Sequence, residues 1–299
     1  MECAIRTTDL RRRFGNTPAV DGLDLAVPRG SVFGLLGRNG AGKTTTIRML
    51  LNLLQPDSGD LEVLGLDPRR HSVNIRRRVG YVAEVPQLYG WMRVAELVHF
   101  TSRFYPDWRP DRATALLHQF GLDPRQRVRH LSRGMAAQLA LVLALGHDPE
   151  LVLLDEPSTG LDVVVRRDVL ASIVEVIQQE GRTVLLSSHL VHEVERVADR
   201  VAVLEAGRLL VCAATEELKA RTRKIVVRVG EAASALYRVP GVTRVEGDGR
   251  HRLVTVTDYD PAVLDALQRV GAEVMEVISL GLEDTFLALV SPQAHQGRA

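Results

Sequence analysis

Eight residues, Gly37-Arg38-Asn39-Gly40-Ala41-Gly42-Lys43-Thr44, constrain the fold of this chain more than any other stretch. They match the pattern G-x-x-x-x-G-K-[ST], in which a glycine-rich loop leaves a buried strand and enters a helix. The flanks agree: the apolar residues 31–36 read as a short strand. Residues 44–54 read as a helix, with Ile47, Leu50, Leu51 and Leu54 on one face. Glycines let backbone approach an anion closely, and the helix start aims free N–H groups and a positive dipole end at it. Lys43 adds a cation for β- and γ-phosphates, and Thr44 a hydroxyl for Mg²⁺. The chain has only three lysines, Lys43, Lys219 and Lys224. A chance match is therefore rare, roughly 0.2%. The loop predicts binding of a nucleoside triphosphate.

Composition narrows the class. Hydrophobic residues at 45% and charged residues at 25% are ordinary for a folded protein of one large or two modest domains. A net charge of +1 gives no reason to expect nucleic acid as a partner. Cys3 and Cys212 are too few for a disulfide framework. The longest apolar run, 139–145, is far short of the roughly 20 residues of a membrane span. A cytoplasmic protein is expected, with any membrane role arriving through a partner.

Strands are expected at 2–8, 19–27, 61–65, 79–82, 151–155, 183–187 and 201–204. A helical stretch is expected over about 84–146, broken near Pro106, Pro110, Gly121 and Pro124, with further helices at 163–180 and 192–199. The alternation predicts an α/β core with a mostly parallel sheet. Beyond a boundary near Arg221 the order βαββαβα predicts a small α+β domain.

Asp155 ends the apolar strand 151–155, where a carboxylate can hold Mg²⁺ opposite Thr44. Glu156 follows, placed to orient or deprotonate an attacking water. Ser132 and Gly134 stand at the start of a helix rich in Ala, Leu, Met and Gln, a second anion-binding start. One triphosphate cannot meet both starts within one subunit unless they face each other.

Gly37 to Thr45, Leu131 to Met135, Leu151 to Pro157, Ser158-Thr159-Gly160-Leu161-Asp162 and His189 together resemble an ATP-binding-cassette ATPase. They match its Walker A, signature, Walker B, D-loop and switch-histidine motifs in order and spacing, over about 2–220. The resemblance implies a P-loop NTPase core (1–220) with an antiparallel β subdomain and a helical subdomain at about 85–147. The tail, 221–299, resembles the accessory domain of export-type cassette subunits, and Phe104-Tyr105-Pro106-Asp107-Trp108 is similar to a bacterial subgroup with separate membrane permeases. It further implies ATP and Mg²⁺ as cofactors and a head-to-tail dimer, with a homodimer expected. Lys43 and Asp155 of one copy would share a nucleotide with Ser132 and Gly134 of the other. Asp162 would lie at the dimer seam, and His189 would contact the γ-phosphate. A polytopic permease would hold the protein at the inner face of the membrane.

Phe14 resembles the aromatic that stacks on adenine, usually a tyrosine. Glu84 stands where the family carries a glutamine, as an acid able to ligate Mg²⁺, and Arg133 and Met135 replace the usual glycine and glutamine. Seven of the thirteen aromatics fall between Tyr81 and Trp108. Tyr89 and Trp91 are expected to face the permease, and Phe100 and Phe104 to face inward. A soluble cassette clamping nucleic acid or ribosomes is the alternative, and a P-loop kinase a third reading. The clamp's fused second cassette, or a long insertion, has no counterpart here. A kinase would leave 131–135 and His189 without roles.

Overall fold

A computed structural model describes residues 2–159, 166, 181–230, 233–247 and 249–290. The chain divides into two compact units, 1–212 and 213–299.

In the first unit, β1 (Cys3–Phe14) and β2 (Thr17–Pro28) form an antiparallel hairpin, and β4 (Ser58–Val63) pairs on the other side of β1. The second sheet is built around β3 (Val32–Gly37). Its order is β5 (Val79–Val82), β6 (Leu151–Asp155), β7 (Thr183–Ser188), β3, β8 (Arg200–Glu205), β9 (Arg208–Ala214). From β5 to β8 every pairing is parallel. Every residue of β3, β6 and β7 is buried, which is why their sequences are continuous apolar runs rather than alternating ones. The register pairs Leu36 with Ser188 and Asp155 with Ser187, so three strands deliver their last residues to one edge. Ligands of such sheets bind at that carboxyl edge.

The helix after the glycine loop, α1 (Lys43–Leu50), stops four residues earlier than expected. Leu51 still bonds back to Ile47, but Asn52 turns left-handed at φ 55° and ends the helix. A basic helix α2 (Pro68–Arg78), started by the Asp67 cap and Pro68, was not expected. The helical stretch resolves into α3 (Val94–Ser102), α4 (Pro110–Gln119) and α5 (Arg133–Leu145), with Pro110 opening α4 rather than breaking it. A short helix α6 (Val191–Glu195) follows β7. β8 and the unexpected β9 are joined by Ala206-Gly207, both at positive φ as a two-residue hairpin turn requires. The helix expected over 163–180 falls almost wholly outside the described residues.

In the second unit, α7 (Thr215–Arg221) precedes a four-stranded antiparallel sheet. Its order is β11 (Val242–Glu246), β12 (His251–Val256), β10 (Arg223–Val229), β13 (Ala272–Ser279). A 3₁₀ helix (Ala233–Arg238), α8 (Ala262–Arg269) and α9 (Leu282–Val290) complete the order. Ile225, Val227, Val254, Val256 and Leu267 form its core. The boundary expected near Arg221 contrasts with this division after Cys212, because α7 packs with α9 of the second unit.

Candidate active site

The glycine loop leaves β3 at Gly37, where a Cβ would come within 2.6 Å of the Leu204 carbonyl oxygen. Gly42 sits at φ 102°, and a Cβ there would meet the Ala19 oxygen at 2.4 Å, so both space and conformation demand glycine. As the N-cap of α1 it offers no side chain to the helix's first N–H groups. Arg38, Asn39 and Gly40 are exposed at the loop tip, Ala41 is buried, and Thr45 is half-buried in the first turn of α1. Lys43 is buried and folds back over the loop, donating from Nζ to the Gly37 oxygen at 2.7 Å and the Arg38 oxygen at 3.3 Å.

At the end of β6, Asp155 Oδ1 accepts from Thr44 Oγ1 at 3.0 Å and from Ser187 Oγ at 2.8 Å. Burial pushes this carboxyl up from its ordinary value, against the two hydroxyl hydrogen bonds that favour its charged form. Hydroxyl and carboxylate make a hard oxygen pair of the kind Mg²⁺ takes together with phosphates and water. Among the described residues no cluster of three or more His, Cys, Asp or Glu is arranged to hold a metal.

Glu156 is turned back into the site by a left-handed backbone, φ 48°, a conformation that costs a non-glycine residue about 1–3 kcal/mol. Its N–H donates to the Ser187 hydroxyl at 3.1 Å. Its two carboxylate oxygens have separate partners. Oε1 lies 2.9 Å from Lys43 Nζ, with both side chains 6% exposed, and Oε2 lies 2.7 Å from His189 Nδ1. The His189 N–H adds a contact to Oε2 at 3.3 Å. Lys43, Thr44, Asp155, Glu156 and His189 thus converge from three strand ends. Such a carboxylate, between an ammonium and an imidazole, is equipped to handle a proton next to an anion.

The other candidates stand apart from this cluster. Phe14 ends β1 half exposed, with the Arg12 guanidinium over its ring at 5.1 Å. Glu84, past the end of β5, is exposed and makes no hydrogen bond to Thr44 or Asp155. Ser132 is exposed as the N-cap of α5, accepting from the Met135 N–H at 3.2 Å, while Gly134 is buried. Gly160, Leu161 and Asp162 lie outside the described residues.

Tyr89 and Trp91 are exposed as expected, but Phe100 and Phe104 do not face inward: Phe104 is 64% exposed. The buried positions of α3 belong to Val94 and Leu97, and the aromatic rings satisfy one another outside. Tyr89 meets Phe100 edge-on at 5.6 Å, and Phe100 meets Phe104 at 5.2 Å. Nearby, a cavity of about 340 Å³ is lined by Arg76, Tyr81, Gln87, Leu88, Tyr105 and Leu143. Sequence reasoning gave no separate role to Ser187, whose signal was a hydroxyl closing an otherwise apolar strand.

Comparison with known proteins places this geometry in context. The family described as ABC transporter matches residues 20–159. The daunorubicin resistance ATP-binding protein DrrA3 of Streptomyces coeruleorubidus is 39% identical over 92% of this chain and 92% of its own length. The bacitracin transport ATP-binding protein BcrA of Bacillus licheniformis is 36% identical over 75% of this chain and 74% of its own. A solved structure of an ATP-binding subunit of an ABC transporter superposes with a TM-score of 0.66 at 26% identity, covering 73% of this chain and 92% of that one.

Proposed function

The chain belongs to the ABC transporter family as an ATP-binding, ATP-hydrolysing subunit that works with membrane permease partners, and from that premise we propose how its residues divide the work. The backbone of 37–42 and the start of α1 hold the phosphates, with Lys43 on the β- and γ-phosphates and Thr45 supporting the first turn. Thr44 and Asp155 would hold Mg²⁺, and their 3.0 Å separation supports that pairing. When bound, the ion neutralises phosphate charge and orients the triphosphate. Glu84 is the weaker candidate for that ion. Glu156 takes the proton of the attacking water, and His189 steadies both the carboxylate and the γ-phosphate. The observation that carries this assignment is the Lys43–Glu156–His189 chain, with one carboxylate oxygen for each partner.

Ser132 and Gly134 face the γ-phosphate of a second copy, with Asp162 at the seam between them. Phe14 stacks on the adenine. The exposed aromatics and the cavity beside them, which Tyr105 helps to line, receive the permease. Among the described residues no helix is long and apolar enough to cross a membrane. The permease would hold the protein at the inner face of the membrane. The drug-resistance and bacitracin-transport relatives support an exporter.

Replacing Glu156 by Gln tests the assignment. ATP binding is retained while turnover falls by about 10² to 10⁴. Near-normal turnover in that variant removes Glu156 from the role of base.

A further inference from the structure

The contact between Glu156 and His189 joins two loops from different strands, and each loop has a serine anchor close by. Ser158 lies two residues after Glu156, and Ser188 immediately precedes His189. Both hydroxyls point at one carboxylate, that of Glu193 on α6. Ser158 Oγ is 2.9 Å and 2.8 Å from its two oxygens, and Ser188 Oγ is 3.1 Å from Oε2. Arg166 Nε stands 3.5 Å from Oε1. Glu193 is buried, as are both serines. A buried carboxylate is expensive unless paired and hydrogen-bonded, and it is better suited to fixing a geometry than to stabilising a fold.

We infer that Glu193 is a positioning residue for hydrolysis, clamping the turn that carries Glu156 to the segment that carries His189. The turn is also closed by the Thr159 N–H on the Glu156 oxygen at 3.0 Å. Ser188 is fixed from the other side by the Leu190 N–H at 3.0 Å. Each loop is therefore held in itself, and the Glu193 carboxylate ties the two together behind the Glu156–His189 contact. Because Glu156 occupies a strained left-handed backbone, loss of the link lets the turn relax and takes its carboxylate away from the imidazole. The effect falls on the chemical step and leaves the phosphate-binding loop alone. This inference rests on the assignment of Glu156 as base.

The test is steady-state ATP hydrolysis by the full-length protein, measured as kcat and KM beside direct ATP binding. Glu193→Ala is expected to lower kcat about tenfold or more, since small misplacements of a reacting group are costly. KM and ATP affinity stay within about twofold of wild type, as for a group that acts only on the chemical step. Ser158→Ala and Ser188→Ala each lower kcat by a smaller factor and add nothing once Glu193 is Ala. Glu193→Gln, which keeps one oxygen acceptor, recovers most of the loss. Should Glu193→Ala not fold, the two serine variants and their double variant in the otherwise unchanged protein carry the test, each expected to lower kcat with KM within about twofold. Wild-type kcat throughout, a change confined to KM, or serine losses that multiply independently would overturn the inference. Normal turnover by Glu156→Gln would fail the base assignment itself. An inactive Glu156→Gln beside a normal Glu193 series fails the clamp alone.

Discussion

Two helix starts in the first unit present similar backbone N–H groups and have opposite surroundings. α1 begins at Gly42, without a side-chain cap, and is closed in by buried Lys43 and by Asp155 and Glu156 from neighbouring strand ends. α5 begins at Ser132, caps itself on the Met135 N–H and is exposed. The first start is surrounded by an ammonium, a hydroxyl–carboxylate oxygen pair and a second carboxylate from the same chain. The second opens with exposed Ser132 and Arg133. One chain therefore encloses one start and displays the other outward, as the head-to-tail pair of copies proposed above requires.

The contrast breaks most easily on the enclosed side. Lys43→Ala removes a preorganised cation from the transferring phosphate, and turnover is expected to fall by about 10² to 10³; a phosphate-release assay checks it. Just past the end of α5 lies His147, which is buried and stacks on Tyr105 at 4.0 Å. Burial pushes this imidazole down to about 4. Its folded value lies below its ordinary one, so the unfolded chain binds more protons in that interval. Its contribution is complete above about pH 6.5 and is lost as pH falls towards 4, up to about 3 kcal/mol. Urea midpoints across that range should be flatter for His147→Phe than for wild type. An unchanged acid limb would contradict the assignment.

Two smaller effects sharpen the comparison. Phe14→Ala should weaken ATP binding by about 1–3 kcal/mol, the worth of stacking a base on an aromatic, as calorimetry can measure. Ser132→Ala should cost about 1 kcal/mol of stability through the lost cap while leaving ATP binding to the single chain unchanged. A large loss of single-chain binding there would mean that the two starts face each other within one molecule.

The enclosed half was legible in the sequence because its residues sit at the ends of short, mostly apolar runs that are fully buried. Val32–Gly37 leads into the loop, Leu151–Asp155 into Glu156, and Thr183–Ser188 into His189. The parts that were not legible have physical causes too. α2 buries only Pro68 and Ile75, so no apolar stripe marks it. Helical spacing placed Phe100 and Phe104 together but did not say that Val94 and Leu97 would take the core. Glu193 lies among charged residues and reads as a surface acid until the fold brings Ser158 and Ser188 onto it.

The shared site is tested most directly by mixing two inactive proteins, one carrying Lys43→Ala and the other Ser132→Arg. Each mixed pair would contain one intact site, built from Lys43 of one chain and Ser132 of the other. ATP hydrolysis should therefore return on mixing, to roughly a quarter of the wild-type rate at equal amounts. No recovery at any ratio, or wild-type turnover by Ser132→Arg alone, would contradict it.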